Sequence, residues 1–132
     1  MLLIHHPIPV VGEITAITIL SEIGDIHNFN SSKQLVAYAG IDPSVHQSGS
    51  YTARNSKISK RGTPYLRKAL YQATVAGISN RKTGPANMTL HKYYILKKTQ
   101  GKPTKVAIIA TCNKLLRIIY AMLTNGELYV QQ

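Results

Sequence analysis

The chain has 132 residues, 44% of them hydrophobic, a formal net charge of +11 and a single cysteine. That is enough apolar side chain for one modest core and too much positive charge for a neutral scaffold, and one thiol rules out an internal disulfide framework. The charge is also segregated: Pro43 to Gly126 contains no Asp or Glu, yet holds fifteen of the sixteen Lys and Arg, with only Lys33 outside. Such a stretch is suited to a polyanion, because phosphate backbones hold it by counterion release, with log K falling by roughly 0.9 per neutralised phosphate as log salt rises.

The apolar start, Met1 to Ile4, is too short for a secretory leader and is broken at once by His5, His6, Pro7 and Pro9. No uncharged apolar run approaches the ~20 residues of a membrane span. A reducing cytoplasm is therefore expected, with no membrane partner. The first unit runs over residues 8–29. Pro9 and Gly12 form a turn, Ile14, Ile17, Leu20 and Ile23 follow near helical spacing, and Gly24 supplies a stop before Asp25. A second helix is predicted from the caps Ser31 and Ser32 through Leu35 and Tyr38 to Gly40.

Residues 41–62 have no apolar period and are rich in Ser, Gly, Asn and cations, the pattern of a long exposed loop or irregular hairpin. Helical order returns over 63–125. Thr63 is the cap and Pro64 the first helical residue, with Leu66, Ala69, Leu70, Ala73 and Gly77 on one face and Arg67, Lys68, Tyr71 and Gln72 on the other. Lys60 and Arg61 precede that helix with the wrong sign for its positive end, a conflict that a bound phosphate would resolve. Residues 80–86 read as a basic linker, and a helix bearing Leu90, Tyr93, Tyr94 and Leu96 follows. The last helix, Thr104 to Asn125, is apolar on most sides and is expected to be the core helix, with Thr111, Lys114 and Arg117 as a narrow polar stripe.

Three features bear on chemistry. The turn at Ile8 to Gly12 looks like a helix-hairpin-helix element, in which backbone N–H groups at a helix N-terminus hold a DNA phosphate without reading bases; an ordinary capped core helix is the competing reading. The segment Pro43-Ser-Val-His-Gln-Ser-Gly-Ser50 offers an exposed hydroxyl, and the cations Arg54, Lys57, Lys60 and Arg61 follow it, as phosphodiester attack by a serine requires. Ser and Gly also crowd solvent loops for turn reasons, and residue type alone does not separate Ser48 from Ser44 and Ser50. His46 is a candidate base. Two-metal phosphoryl transfer needs several carboxylates at one site. This chain offers Glu13, Glu22, Asp25, Asp42 and Glu127, with Glu22 and Asp25 expected to cap or solvate a helix end, so no metal site is predicted. Cys112 reads as an inert core thiol.

The ordered strings Ile8-Pro-Val-Val-Gly12, Glu22-Ile-Gly-Asp25, Ser32-Lys-Gln-Leu-Val-Ala-Tyr-Ala-Gly40, Asp42-Pro-Ser-Val-His-Gln-Ser-Gly49, Ile58-Ser-Lys-Arg-Gly62 and Gly101-Lys-Pro103 through Tyr120 resemble the C-terminal domain of insertion-sequence 110/116/902 family transposases. The Ala-Tyr-Ala-Gly to Gln-Ser-Gly stretch and the Ile-Ser-Lys-Arg-Gly box are the most specific pieces. Val10 stands where the family's hairpin has a glycine. The resemblance implies a mainly α, single helical domain over residues 1–132, with the helix-hairpin-helix-like element at 8–29, the basic loop at 41–62 and the helical core at 63–125.

The same resemblance implies a two-part recombinase. An acidic RuvC-like N-terminal domain, absent from this chain, would carry a divalent metal, Mg by analogy, while this domain would supply a serine nucleophile, which falls on Ser48. A structured guide RNA and homo-oligomers with shared sites are implied for the full-length protein, so this chain is expected to be a fragment, inactive by itself. Gly12, Arg54, Lys57, Lys60, Arg61, Arg67 and Lys68 are the candidate nucleic-acid contacts. A stand-alone or remnant DNA- or RNA-binding module, in which Ser48 is dispensable, is the alternative function.

Overall fold

The computed structural model describes residues 12–42, 47–48, 51–52, 62–82 and 84–126. Within them lie five α-helices, α1 (Glu13–Ile23), α2 (Ser32–Ala39), α3 (Pro64–Ile78), α4 (Met88–Thr99) and α5 (Thr104–Asn125). A 3₁₀ turn, Ile26–Asn28, joins α1 to α2. Two short antiparallel ladders complete the list, β1 (Gln47–Ser48) with β2 (Tyr51–Thr52) and β3 (Asn80–Arg81) with β4 (Gly84–Pro85). The protein is therefore mainly α, as the helical periods predict.

Several helix boundaries have a chemical cause. Gly24 and Gly40 end α1 and α2 at φ 69° and 73°, a region that side chains with a Cβ avoid. Ser31 caps α2 by accepting from the Gln34 N–H, and Asp25 caps the 3₁₀ turn by accepting from the His27 N–H at 2.9 Å. The Asp25 carboxyl also lies 2.9 Å from His27 Nδ1; the His27 backbone hydrogen bond and then this ring contact hold its pKa below the usual carboxylate value.

The core forms where α5 lies against α2, α3 and α4, and α1 closes over α3. Leu115, Leu116, Ile119 and Met122 of α5 meet Leu35, Leu66, Leu70, Ile19 and Ile23 in one buried cluster. The one-face spacing of Leu66, Ala69, Leu70, Ala73 and Gly77 in α3 is the buried face. Small residues let α3 and α4 approach: a Cβ on Gly77 would stand 3.1 Å from Leu90 Cδ1 and 3.4 Å from Asn87 Cβ. By length and composition α5 could cross a membrane, but here it is the core helix, with Ala107, Cys112 and Leu115 on its buried side. Its flanks carry Lys105, Lys114 and Arg117, which is why no uncharged run stands out in the sequence.

Two expectations change. Thr111 is not part of an exposed polar stripe: it is fully buried, and its hydroxyl donates to the Ala107 carbonyl at 2.8 Å, which satisfies the group within its own helix. The stretch 80–86 is more ordered than a linker, since the β3–β4 ladder turns the chain so that the Asn87 N–H reaches the Gly77 carbonyl at 2.8 Å. Asn87 is buried and its side-chain oxygen accepts from the Leu90 N–H at 3.1 Å, capping α4.

Burial pushes the Cys112 thiol up to about 11, with the Thr74 hydroxyl pulling the other way. The native protein at pH 8 is therefore expected to leave Cys112 unlabelled by iodoacetamide over hours, and full labelling is expected within minutes in 6 M guanidinium, read by intact mass. Rapid labelling of the native chain would contradict an inert core thiol.

Candidate nucleic-acid interface

The stretch that carries Ser48 leaves the core at Ile41 and returns at Gly62, and both points are fixed by contacts among α1, α2, α3 and α5. At the departure, Ile41 is 1% exposed and its N–H bonds the Val36 carbonyl at 3.4 Å. Its own carbonyl accepts from Asn113 Nδ2 of α5 at 3.3 Å. At the return, Gly62 rests on the end of α2 so closely that a Cβ would collide with the Tyr38 carbonyl, and the next N–H, that of Thr63, bonds the same carbonyl at 3.3 Å. Glycine is required there by backbone approach.

Tyr38 ties this base together. Its hydroxyl donates to the Glu22 carbonyl of α1 at 2.9 Å, and its ring meets Phe29 edge-on at 5.2 Å between centroids. The Glu22 side chain accepts from the Thr63 hydroxyl at 2.8 Å, while that hydroxyl also accepts from the Leu66 N–H at 3.5 Å. A carboxylate from α1 thus stands at the positive end of α3, where an anion is favoured by about 0.3–1 kcal/mol. The anion that the sequence pattern demands at the start of α3 is therefore present within the chain itself. Glu22 does not merely finish α1; it joins α1 to α3.

The predicted site residues fall in different places. Ser48 lies on β1 opposite Tyr51, and Gln47 lies opposite Thr52. Arg54, Lys57, Lys60 and Arg61, with His46 and the hairpin residues 8–11, lie outside the described residues. Gly12 is exposed at the N-terminus of α1, and a Cβ there would meet nothing within 4 Å, so packing does not require glycine at that point. Arg67 is half-buried and donates to the Ala39 carbonyl at 3.3 Å, placing a cation at the negative end of α2. Lys68 is exposed beside it in sequence. Among the described residues no group of three or more His, Cys, Asp and Glu could hold a metal ion.

Tyr38, Asn113 and the Glu22–Thr63 pair are the functional supports that sequence reading misses. Tyr38 sits at an ordinary helical position and is 40% exposed, so neither period nor burial distinguishes it. The Ile-Ser-Lys-Arg-Gly box does contain a signal: its final glycine marks a close backbone approach.

With this geometry in place, comparison with known proteins gives the lineage. The pattern of the family described as "Transposase IS116/IS110/IS902 family" matches residues 5–93. The chain is 37% identical over 123 residues to the transposase for insertion sequence element IS1111A of Coxiella burnetii, covering 92% of this chain and 32% of that protein. It is 38% identical over 120 residues to the pilin gene-inverting protein of Moraxella bovis, covering 91% of this chain and 36% of the relative. A probable family 20 transposase of Pseudomonas aeruginosa is 30% identical over 122 residues, covering 90% of this chain and 34% of that protein. The chain belongs to the IS116/IS110/IS902 transposase family, and it spans about a third of the length of these relatives.

Gly62→Ala is expected to lower stability by about 1–3 kcal/mol, the cost of forcing atoms into a packed contact. Thr63→Val, which removes the cap and the partner of Glu22, should cost about 1–2 kcal/mol. Urea unfolding followed by circular dichroism checks both, and an unchanged midpoint for Gly62→Ala would contradict the close approach.

Proposed function

We propose that this chain is the DNA-binding part of an insertion-sequence transposase and supplies Ser48 as the nucleophile for strand exchange. The reading is carried by one observation: in a chain of this transposase family, the stretch holding Ser48 and the densest run of cations begins and ends on a base built from four helices. A rigid base serves chemistry because the reacting hydroxyl must be held within a few tenths of an ångström of its line of attack. The name of the pilin gene-inverting relative, a protein that inverts a gene, supports breaking and rejoining of DNA as the activity of the whole protein.

In the proposed step Ser48 Oγ attacks a DNA phosphorus, an Oγ–P bond forms and one P–O bond to deoxyribose breaks. The proton leaves Oγ for a general base, for which His46 is this chain's candidate, and the departing deoxyribose oxygen takes up a proton. The ester is conserved in the covalent phosphoserine, so rejoining by the reverse attack needs no external energy source. Arg54, Lys57, Lys60 and Arg61 would neutralise the phosphate and its developing charge, and Lys68 would extend the contact. The divalent metal, the RuvC-like domain, a guide RNA and the oligomer belong to the full-length protein in this reading. The described carboxylates and imidazoles do not fit a metal site.

Ser48→Ala is expected to abolish recombination by a full-length relative carrying this domain and to leave DNA affinity within about twofold. Loss of binding, or retained recombination, would count against the nucleophile role. Lys60→Ala and Arg61→Ala are each expected to weaken binding across all DNA sequences and to reduce the salt slope by about 1. A slope unchanged in both would remove them from the interface. If Ser48→Ala recombines normally while the slope falls, the chain is a binding module without catalysis.

A further inference from the structure

Away from the Ser48 base, α4 and α5 bring a second set of cations together. Between Met88 and Asn125 the chain has seven Lys and Arg and no carboxylate. Three of the seven converge on one aromatic ring. Lys97 Nζ lies 5.2 Å and Lys114 Nζ 5.7 Å from the centre of the Tyr93 ring, and Arg117 Nη2 donates to the Tyr93 hydroxyl at 3.4 Å. The ring's negative face offsets part of the repulsion among the ammonium groups, which lie no more than about a Debye length apart at 0.1 M salt. No ion pair to an acidic side chain involves any of these three among the described residues.

The arrangement is held rather than loose. Arg117 Nε also donates to the Asn113 carbonyl at 3.4 Å, and Lys97 and Lys114 are both half-buried. Three cations fixed on two packed helices, without an anion, form a surface of high positive potential aimed at a ligand from outside. The Tyr93 ring is engaged by ammonium groups instead of standing open for a base to stack on, which favours the backbone of a duplex over a single strand.

We propose that Tyr93, Lys97, Lys114 and Arg117 form a second binding site for duplex DNA, one that grips the phosphate backbone without reading sequence and is separate from the cations around Ser48. Lys97 and Lys114 supply point charges to adjacent phosphates, and Arg117 supplies a directed donor set, while Tyr93 keeps all three in place. The inference rests on the reading of the chain as a DNA-binding part, and it adds a contact that would fix the orientation of that part on the helix.

The test is salt-dependent binding of the 132-residue chain to a fluorescent DNA duplex and to an RNA duplex of equal length. The triple variant Lys97→Gln, Lys114→Gln, Arg117→Gln is compared with Lys33→Gln, Lys82→Gln, Lys102→Gln, which changes net charge equally at exposed positions that do not reach Tyr93. The first is expected to lose about tenfold or more in DNA affinity at 0.1 M salt and to flatten the slope by about 1 per cation; the second should lose clearly less. Helical circular dichroism verifies folding, and if the triple variant is unfolded, Lys97→Gln with Lys114→Gln serves with a slope change of about 2. Equal losses in the two triple variants, or an unchanged slope in the first, would overturn the site while leaving DNA binding intact. A larger loss for RNA than for DNA would overturn the assignment to DNA. No DNA binding by the unaltered chain would overturn the DNA-binding reading itself, and this inference with it.

Discussion

The close backbone approach of Gly62 to the Tyr38 carbonyl leaves no room for a Cβ, and much of the architecture around the start of α3 is arranged about it. It sets how near the start of α3 comes to the end of α2. That distance in turn lets the Thr63 hydroxyl reach Glu22 on α1 and lets Arg67 reach the Ala39 carbonyl at the end of α2. Three helices are thereby joined at this end through polar groups directed at helix termini and carbonyls. The hydrophobic cluster below supplies the cohesion. The polar base supplies direction, because hydrogen bonds fix angles that apolar packing leaves free.

The charge distribution follows a related logic. A chain with a net charge of +11 carries a repulsive load in its compact state. Two described carboxylates are used locally, Asp25 on the turn before α2 and Glu22 at the start of α3. Neither is placed to neutralise the cations of α4 and α5. Those cations remain available to solvent and to ligands, and the fold tolerates them by setting them on exposed helix faces and over an aromatic ring.

How much of this can be read from sequence depends on range. Helix stops at Gly24, Gly40 and Gly126, caps at Ser31 and Thr63, and the buried faces of α3 and α5 are local signals, governed by backbone conformation and the 3.6-residue period, and all are legible. The cap at Asn87 is not legible because its neighbours Gly84 and Pro85 look like ordinary linker residues, whereas their pairing with Arg81 and Asn80 turns the chain toward Gly77. The burial of Thr111 is not legible because a threonine can satisfy its own hydroxyl against the preceding helical turn and so need not face water. The Glu22–Thr63 and Asn113–Ile41 contacts span 41 and 72 residues, and no periodicity encodes a pairing at that separation. The candidate serine was legible through family resemblance more than through its own residue type, since a Ser-Gly pair is common in any turn.

The anchoring of Ile41 and Gly62 has a consequence for chain length. Closing a flexible loop costs entropy that grows only as the logarithm of its length, about 0.6 kcal/mol for each doubling. With Ile41 and Gly62 both held on a helical base, that weak dependence means that changing the number of residues between them adds little to the cost of closure, provided the base itself is untouched. The helical scaffold and the segment bearing Ser48 are thus free to vary independently: the first under the demands of packing, the second under those of whatever it binds.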